Sequence, residues 1–263
     1  MGESVVKLLL FRCVLPYRQI AGKESIMDYQ DAKQYYGAYG TEQAYEPLDR
    51  YTAKTFGWMF AGLLLTFAIA LTGYVTGLVW YVFAIPQMIW ILGIAELVVV
   101  LYLSTQINKV SVGVARGLFF TYALLNGVVF SAYFLLYALP SLVVVFGATA
   151  VFFGIMAAVG YFTRADLSNL RNFLVGGLIF LLLFWVAGIF FNLERFEIAI
   201  CTVGIFVFLL FTAYDTQKIK SYHQAYCQDP VMAKKASIFA ALQLYLDFIN
   251  LFIYLLRVLG RRK

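Results

Sequence analysis

Seven apolar stretches follow one another along the chain, at about 56–78, 84–105, 117–138, 142–162, 173–192, 196–217 and 237–257. Each is close to the ~20 residues a helix needs to cross ~30 Å of hydrocarbon. None alternates with a two-residue period, and in lipid only helices and closed barrels satisfy their backbone groups. The pattern therefore predicts an all-α membrane protein of seven transmembrane helices, joined by short connections with no soluble domain between them. The fourth stretch, Leu142 to Phe162, carries no charged residue at all. Ahead of the first stretch the chain is polar. Residues 1–50 are expected to form a disordered cytoplasmic tail, and residues 51–263 the membrane domain. The run VVKLLLFRCVLPYR near the start is broken by Lys7 and Arg12 and lacks a small-residue cleavage site, so it makes a poor signal peptide. Met27 opens MDYQDAKQYYGAYG, which reads as a natural start, and residues 1–26 are expected to be an upstream extension of the gene model.

Composition sharpens this picture. Of the 263 residues, 63% are apolar or aromatic and 13% are charged. A soluble domain is about a quarter charged, so a soluble enzyme and a disordered chain are both excluded. The net charge of +6 forms no basic stripe with room for a nucleic-acid backbone. Three cysteines, Cys13, Cys201 and Cys227, sit far apart without zinc-ligand or disulfide spacing, and His223 is the only histidine. It is expected to be exposed polar surface in a loop. No nucleotide-binding or common hydrolase motif is present. The YD and GxGD pattern of aspartyl intramembrane proteases is only half met, by Tyr214-Asp215.

Basic residues alternate across the connections. Seven precede the first stretch and none follow it. Lys109 and Arg116 follow the second, none the third, Arg164 and Arg171 the fourth, and Arg195 with Glu194 and Glu197 the fifth. Lys218, Lys220, Lys234 and Lys235 follow the sixth. The excess of Lys and Arg on alternate connections predicts a cytoplasmic N-terminus. Arg261, Arg262 and Lys263 break the alternation, because seven crossings put them outside. The last segment either crosses against the rule or re-enters, and its length favours crossing.

Ionisable groups within the stretches are few: Glu96, Asp215, Asp247 and Arg257. Each costs at least ~2.5 kcal/mol at the bilayer centre, which makes it a functional candidate. Gln243, Asp247 and Asn250 are spaced i, i+4, i+7, so they share one face of the last helix, and Arg257 falls near that face. Such a stripe faces either a water-filled path or polar groups of neighbouring helices. Asp215 lies near the cytoplasmic end of the sixth helix, where an ordinary interfacial aspartate would also sit. The sixth and seventh helices are antiparallel, so Asp215 and Asp247 can meet at similar depth. Two carboxylates at close range in low dielectric raise one pKa, and the pair then shares a proton or binds a cation. Ca²⁺, with its loose oxygen coordination, suits such a pair, and protonation would compete with it. Glu96 is either a buried interhelical hydrogen-bonding group or a member of a gate or proton relay. Asn126 is expected to join helices.

Two C-terminal runs, AYDTQKIK at 213–220 and ALQLYLDFINLFIYLLRVLG at 241–260, carry a family resemblance. YTAKTFGWMFAGLLLT and SAYFLLY at 131–137 fit it too. The chain resembles bacterial members of the transmembrane Bax inhibitor motif family over about residues 48–260. The resemblance implies a seven-helix bundle with the last helix central, wrapped by the other six. It implies a pH-sensitive Ca²⁺ leak channel of the bacterial cytoplasmic membrane, with a di-aspartate sensor at Asp215 and Asp247 and the family's second-helix glutamate at Glu96. Ca²⁺ and protons would be its partners, with no resident cofactor. Gln243, Asn250 and Arg257 would support the sensor. Members often carry an arginine further along the second helix, where this chain offers Gln106 and Lys109. Some bacterial relatives are linked to a membrane-bound AAA protease. The alternative function is therefore a non-conducting regulator of such a protease, acting through the N-terminal tail.

Overall fold

A computed structural model describes residues 46–191 and 193–263. The tail and its suggested start at Met27 lie outside the described residues. Eight α-helices are present among the described residues: α1 (Leu48–Val75), α2 (Leu78–Phe83), α3 (Met88–Gln106), α4 (Val112–Leu136), α5 (Leu139–Phe162), α6 (Leu170–Phe190), α7 (Glu197–Tyr226) and α8 (Pro230–Leu259). All but the six-residue α2 are long and apolar enough to cross a membrane. The only β-pairing among the described residues is an isolated bridge, Tyr137 to Arg262. The second span begins at Met88, not at 84. Gly77 takes a left-handed conformation (φ 74°) that ends the run of α1, and the short α2 then fills the turn ahead of Pro86.

Helix α8 is the axis of the bundle. Every residue from Lys235 to Leu256 is buried, and α1, α4, α5 and α7 pack around it. The surrounding helices turn large apolar side chains outward, such as Trp90, Val144, Phe173, Leu183 and Phe206. That arrangement suits a bundle in which lipid solvates the ring and protein solvates the centre. The centre can then hold polar groups that lipid would exclude. Helix α8 starts where it does because Asp229 caps it. The Asp229 Oδ1 accepts from the amides of Val231 (2.9 Å) and Met232 (3.0 Å), and Pro230 supplies a ready helical φ.

At one end of the bundle the Tyr51 hydroxyl donates to the Ala233 carbonyl (3.2 Å), and Lys235 Nζ donates to the Asn108 carbonyl (3.1 Å). At the other end Lys263 Nζ donates to the Phe134 carbonyl (2.7 Å) and the Tyr74 hydroxyl (3.2 Å), and Tyr137 bridges Arg262. The start of α1 and the last residues therefore lie on opposite faces. The last helix crosses and does not return. Its basic end is held by Glu197, whose Oε1 meets Arg257 Nη1 at 3.1 Å and Arg262 Nη2 at 3.4 Å. Of the three residues that break the alternation of basic residues, Arg262 is the one that Glu197 pairs.

Candidate functional site: a polar seam between the last two helices

Contacts on either side of Asp215 and Asp247 fix their register. The rings of Phe208 on α7 and Tyr254 on α8 stack with centroids 5.6 Å apart. Asp215 lies seven residues from Phe208, and Asp247 seven residues from Tyr254. Because the helices are antiparallel, both steps run toward the α7–α8 turn. Seven residues advance a helix by ~10.5 Å and return it to within ~20° of the same face. Nearer the turn, the Tyr222 hydroxyl donates to Gln243 Oε1 (3.2 Å). Counting from that contact, Asp215 is seven residues away and Asp247 four, again on the same faces. The two carboxylates thus lie on facing sides of the α7–α8 interface, within about one helical turn (~5.4 Å) in depth. Asp215 is 2% exposed and Asp247 fully buried.

The seam continues beyond them. Thr55 Oγ1 and Ser237 Oγ are hydrogen-bonded at 2.9 Å between α1 and α8. Asn250, one turn past Asp247, donates from Nδ2 to the Leu246 carbonyl of its own helix (2.7 Å). On another side of α8 the Tyr245 hydroxyl meets Thr66 Oγ1 at 2.6 Å, and Thr66 donates to the Ala123 carbonyl (2.8 Å). Gln243, Asp247 and Asn250 therefore do share a face, as their spacing requires. Arg257 does not join them. It stands ten residues beyond Asp247, ~15 Å along the helix, and pairs with Glu197 at the far end.

Glu96 is buried on α3, whose main packing partner is α4. Helix α3 is not among the helices that pack broadly on α8. Gln106 ends α3 and Lys109 is exposed in the following loop. Asn126 is buried on α4, beside Gly127, where α4 approaches the Thr66 backbone of α1 closely. Among the described residues no three His, Cys, Asp or Glu side chains come together. A cation at the seam would therefore draw on the two carboxylates together with carbonyl, amide, hydroxyl or water oxygens.

Two placements correct the sequence reading. Asp215 is not near the end of its helix, since α7 runs eleven residues further, to Tyr226. His223 is not exposed surface. It is 4% exposed, its Nε2 lies 2.7 Å from the Glu46 carbonyl, and its ring sits 5.2 Å from that of Tyr51. A carbonyl only accepts, so Nε2 donates there. The signal for both was present. Ile219, Tyr222 and Tyr226 continue the helical spacing of Asp215 past the last apolar residue of the stretch.

The comparisons agree with this architecture. A sequence model described as Inhibitor of apoptosis-promoting Bax1 matches residues 48–263. The chain is 39% identical over 227 residues to the inner membrane protein YbhL of Escherichia coli, covering 82% of this chain and 93% of that one. It is 36% identical over 218 residues to a Rickettsia prowazekii protein (83% and 92% covered). Against a Borreliella burgdorferi protein it is 34% identical over 217 residues (82% and 93% covered). Seven membrane-crossing helices, the last of them buried and carrying a polar stripe, together with these matches, place the chain in the Bax inhibitor family.

Proposed function

We propose that this protein is a pH-sensitive Ca²⁺ leak channel of the bacterial cytoplasmic membrane, gated by Asp215 and Asp247. The observation that carries the reading is the register of α7 and α8, which puts two buried carboxylates on facing sides of one seam. Carboxylate oxygens that face one another across a buried seam can be satisfied by a shared proton or by a cation. A Ca²⁺ ion competes for the same oxygens. Proton occupancy then sets which arrangement of α7 against α8 is favoured, and with it the open population.

The structure described here suits a closed state. Beyond the seam, toward the face that carries Lys263, the space between α1, α4, α5 and α8 is a cavity of about 40 Å³, lined by Phe130, Phe146, Phe248 and Phe252 among others. An aromatic-lined cavity of that size has no room for a hydrated divalent ion, so on this reading conduction along it requires those rings to move apart.

The test is Ca²⁺ uptake into dye-loaded proteoliposomes between about pH 6 and about pH 8, across the neutral range. Wild type should show flux that varies with pH. Asp247→Asn and Asp215→Asn should each remove the variation while leaving protein in the membrane. Flux no greater than that of empty liposomes at every pH would overturn the channel reading. Unaltered pH dependence in both variants would overturn the assignment of the sensor.

A further inference from the structure

Helix α7 has a second polar face. Asp215, Ile219 and Tyr222 point to α8, whereas Tyr214, Lys218 and Ser221 line a cavity on another side of the helix. That cavity measures about 210 Å³ and is completed by Ser168, Arg171 and Asn172, from the turn before α6 and its first residues. Gln217 also lines it and ties its walls together. Its Oε1 accepts from the Leu167 amide (2.9 Å) and its Nε2 donates to the Ala165 carbonyl (2.7 Å). The Lys218 ammonium is steadied 5.8 Å from the Tyr214 ring centroid and 5.3 Å from that of Tyr222.

Among the described residues the lining holds two cations, two serine hydroxyls and an asparagine amide. Of the acids nearest in sequence, Asp215 beside Tyr214 is buried, and Asp166 is exposed, its Oδ1 accepting from the Ser168 amide (2.9 Å) where it caps the turn into α6. The turn runs directly into α6, and the two together bring Ser168, Arg171 and Asn172 to the cavity. Convergent donors and two cations suit a tetrahedral oxyanion. The surroundings say where that anion comes from. Phe162, which ends α5, and Phe173, next to Asn172, are 78% and 66% exposed. They offer apolar surface to acyl chains on either side of a charged cup.

We propose that this cavity binds a phosphate group presented at the membrane surface, as in the headgroup of an anionic lipid. The inference stands independently of the calcium reading. Arg171 and Lys218 hold the phosphate oxygens, Ser168, Ser221 and Asn172 add hydrogen bonds, and the exposed phenylalanines take the glycerol and acyl ends.

The experiment measures thermal unfolding of the full-length, detergent-purified protein titrated with dioctanoyl-phosphatidylglycerol in one arm and inorganic phosphate in the other. Wild type should show a saturable rise in Tm with the lipid. Arg171→Gln/Lys218→Gln should weaken the apparent affinity by about tenfold for each lost charge-assisted contact. Lys109→Gln/Lys234→Gln removes the same charge elsewhere and should bind like wild type. A rise with lipid alone identifies the source as a headgroup. An equal rise with inorganic phosphate, lost in the same variant, identifies a soluble phosphate ligand at the same site. If the double variant does not fold, Arg171→Gln alone is examined by native mass spectrometry, and it should retain fewer phosphatidylglycerol adducts than wild type. No saturable shift in either arm, or one equally strong in the site variant, would overturn the proposal, as would equal adduct numbers.

Discussion

The α5–α7 crossing gives a quantitative test of the packing that holds Asp215 in place. Gly160 on α5 faces Ala213 on α7, two residues before Asp215. A Cβ added at Gly160 would collide with the Ala213 carbonyl oxygen and stand 2.8 Å from its Cα and carbonyl carbon. Carbon atoms pack at ~3.5–4.0 Å, so Gly160→Ala must part the two helices by about 1 Å. Overpacking of this kind costs ~1–3 kcal/mol. The same substitution gains ~1 kcal/mol of helix propensity, leaving a net loss of ~0–2 kcal/mol. Gly154→Ala, one and a half turns earlier on the same helix, meets nothing within 4 Å and keeps only the propensity gain. The difference between the two variants therefore isolates the clash, ~1–3 kcal/mol, or roughly 2–12 °C in Tm at ~2–4 °C per kcal/mol. A thiol-reactive dye reads the melt in a Cys13→Ser/Cys227→Ser background, because the remaining Cys201 is fully buried until the bundle opens. Gly160→Ala melting at or above Gly154→Ala would refute the close approach of α5 and α7.

Other predictions follow from single contacts. Gly204→Ala puts a Cβ 2.7 Å from atoms of the Tyr254 ring, costing ~1–3 kcal/mol. Trimming the ring with Tyr254→Leu should relieve most of that clash in a double-mutant cycle. Tyr222→Phe strips the donor from buried Gln243 Oε1 and should cost ~1–3 kcal/mol in the same melt, with Gln243→Met as a second change recovering part of it. Glu197→Gln releases two partly exposed ion pairs, each worth ~0–1 kcal/mol and screened by salt. Its Tm should differ little from wild type, and less still at high salt; a large loss would mean the pairs carry more than surface charges do. The Ser168 amide holds the Asp166 carboxyl below its ordinary value. What Asp166 stabilises is present above that ordinary value and lost as pH falls through the lowered one. Asp166→Asn should therefore leave the flux profile between about pH 6 and about pH 8 unchanged.

How far the sequence speaks for itself follows from which physics each residue obeys. Burial of Gln243, Asp247 and Asn250 on one face was legible, because helical spacing alone sets the face and apolar flanks set the depth. The limits of the helices were legible from helical spacing but not from hydropathy. An apolar stretch marks where a helix meets lipid, but α7 and α8 each run 30 residues, ~45 Å, against ~30 Å of hydrocarbon. Individual polar residues of their extra turns are nonetheless buried, because the start of the described chain and α1 cover them and supply partners: the Glu46 carbonyl to His223, and Thr55 to Ser237. Lys235 is buried there too, satisfied by the Asn108 carbonyl. A residue-by-residue hydropathy reading assigns such positions to water. The same blindness misdirects Arg257. Its spacing of fourteen residues from Gln243 suggests a common face, but ~15 Å of rise separates it from Asp247, and the nearer carboxylate is Glu197, which starts the preceding helix. Lateral packing is thus set by which groups the folded bundle brings to one depth, and spacing along a single helix cannot report that depth for a partner such as Glu197, which comes from another helix.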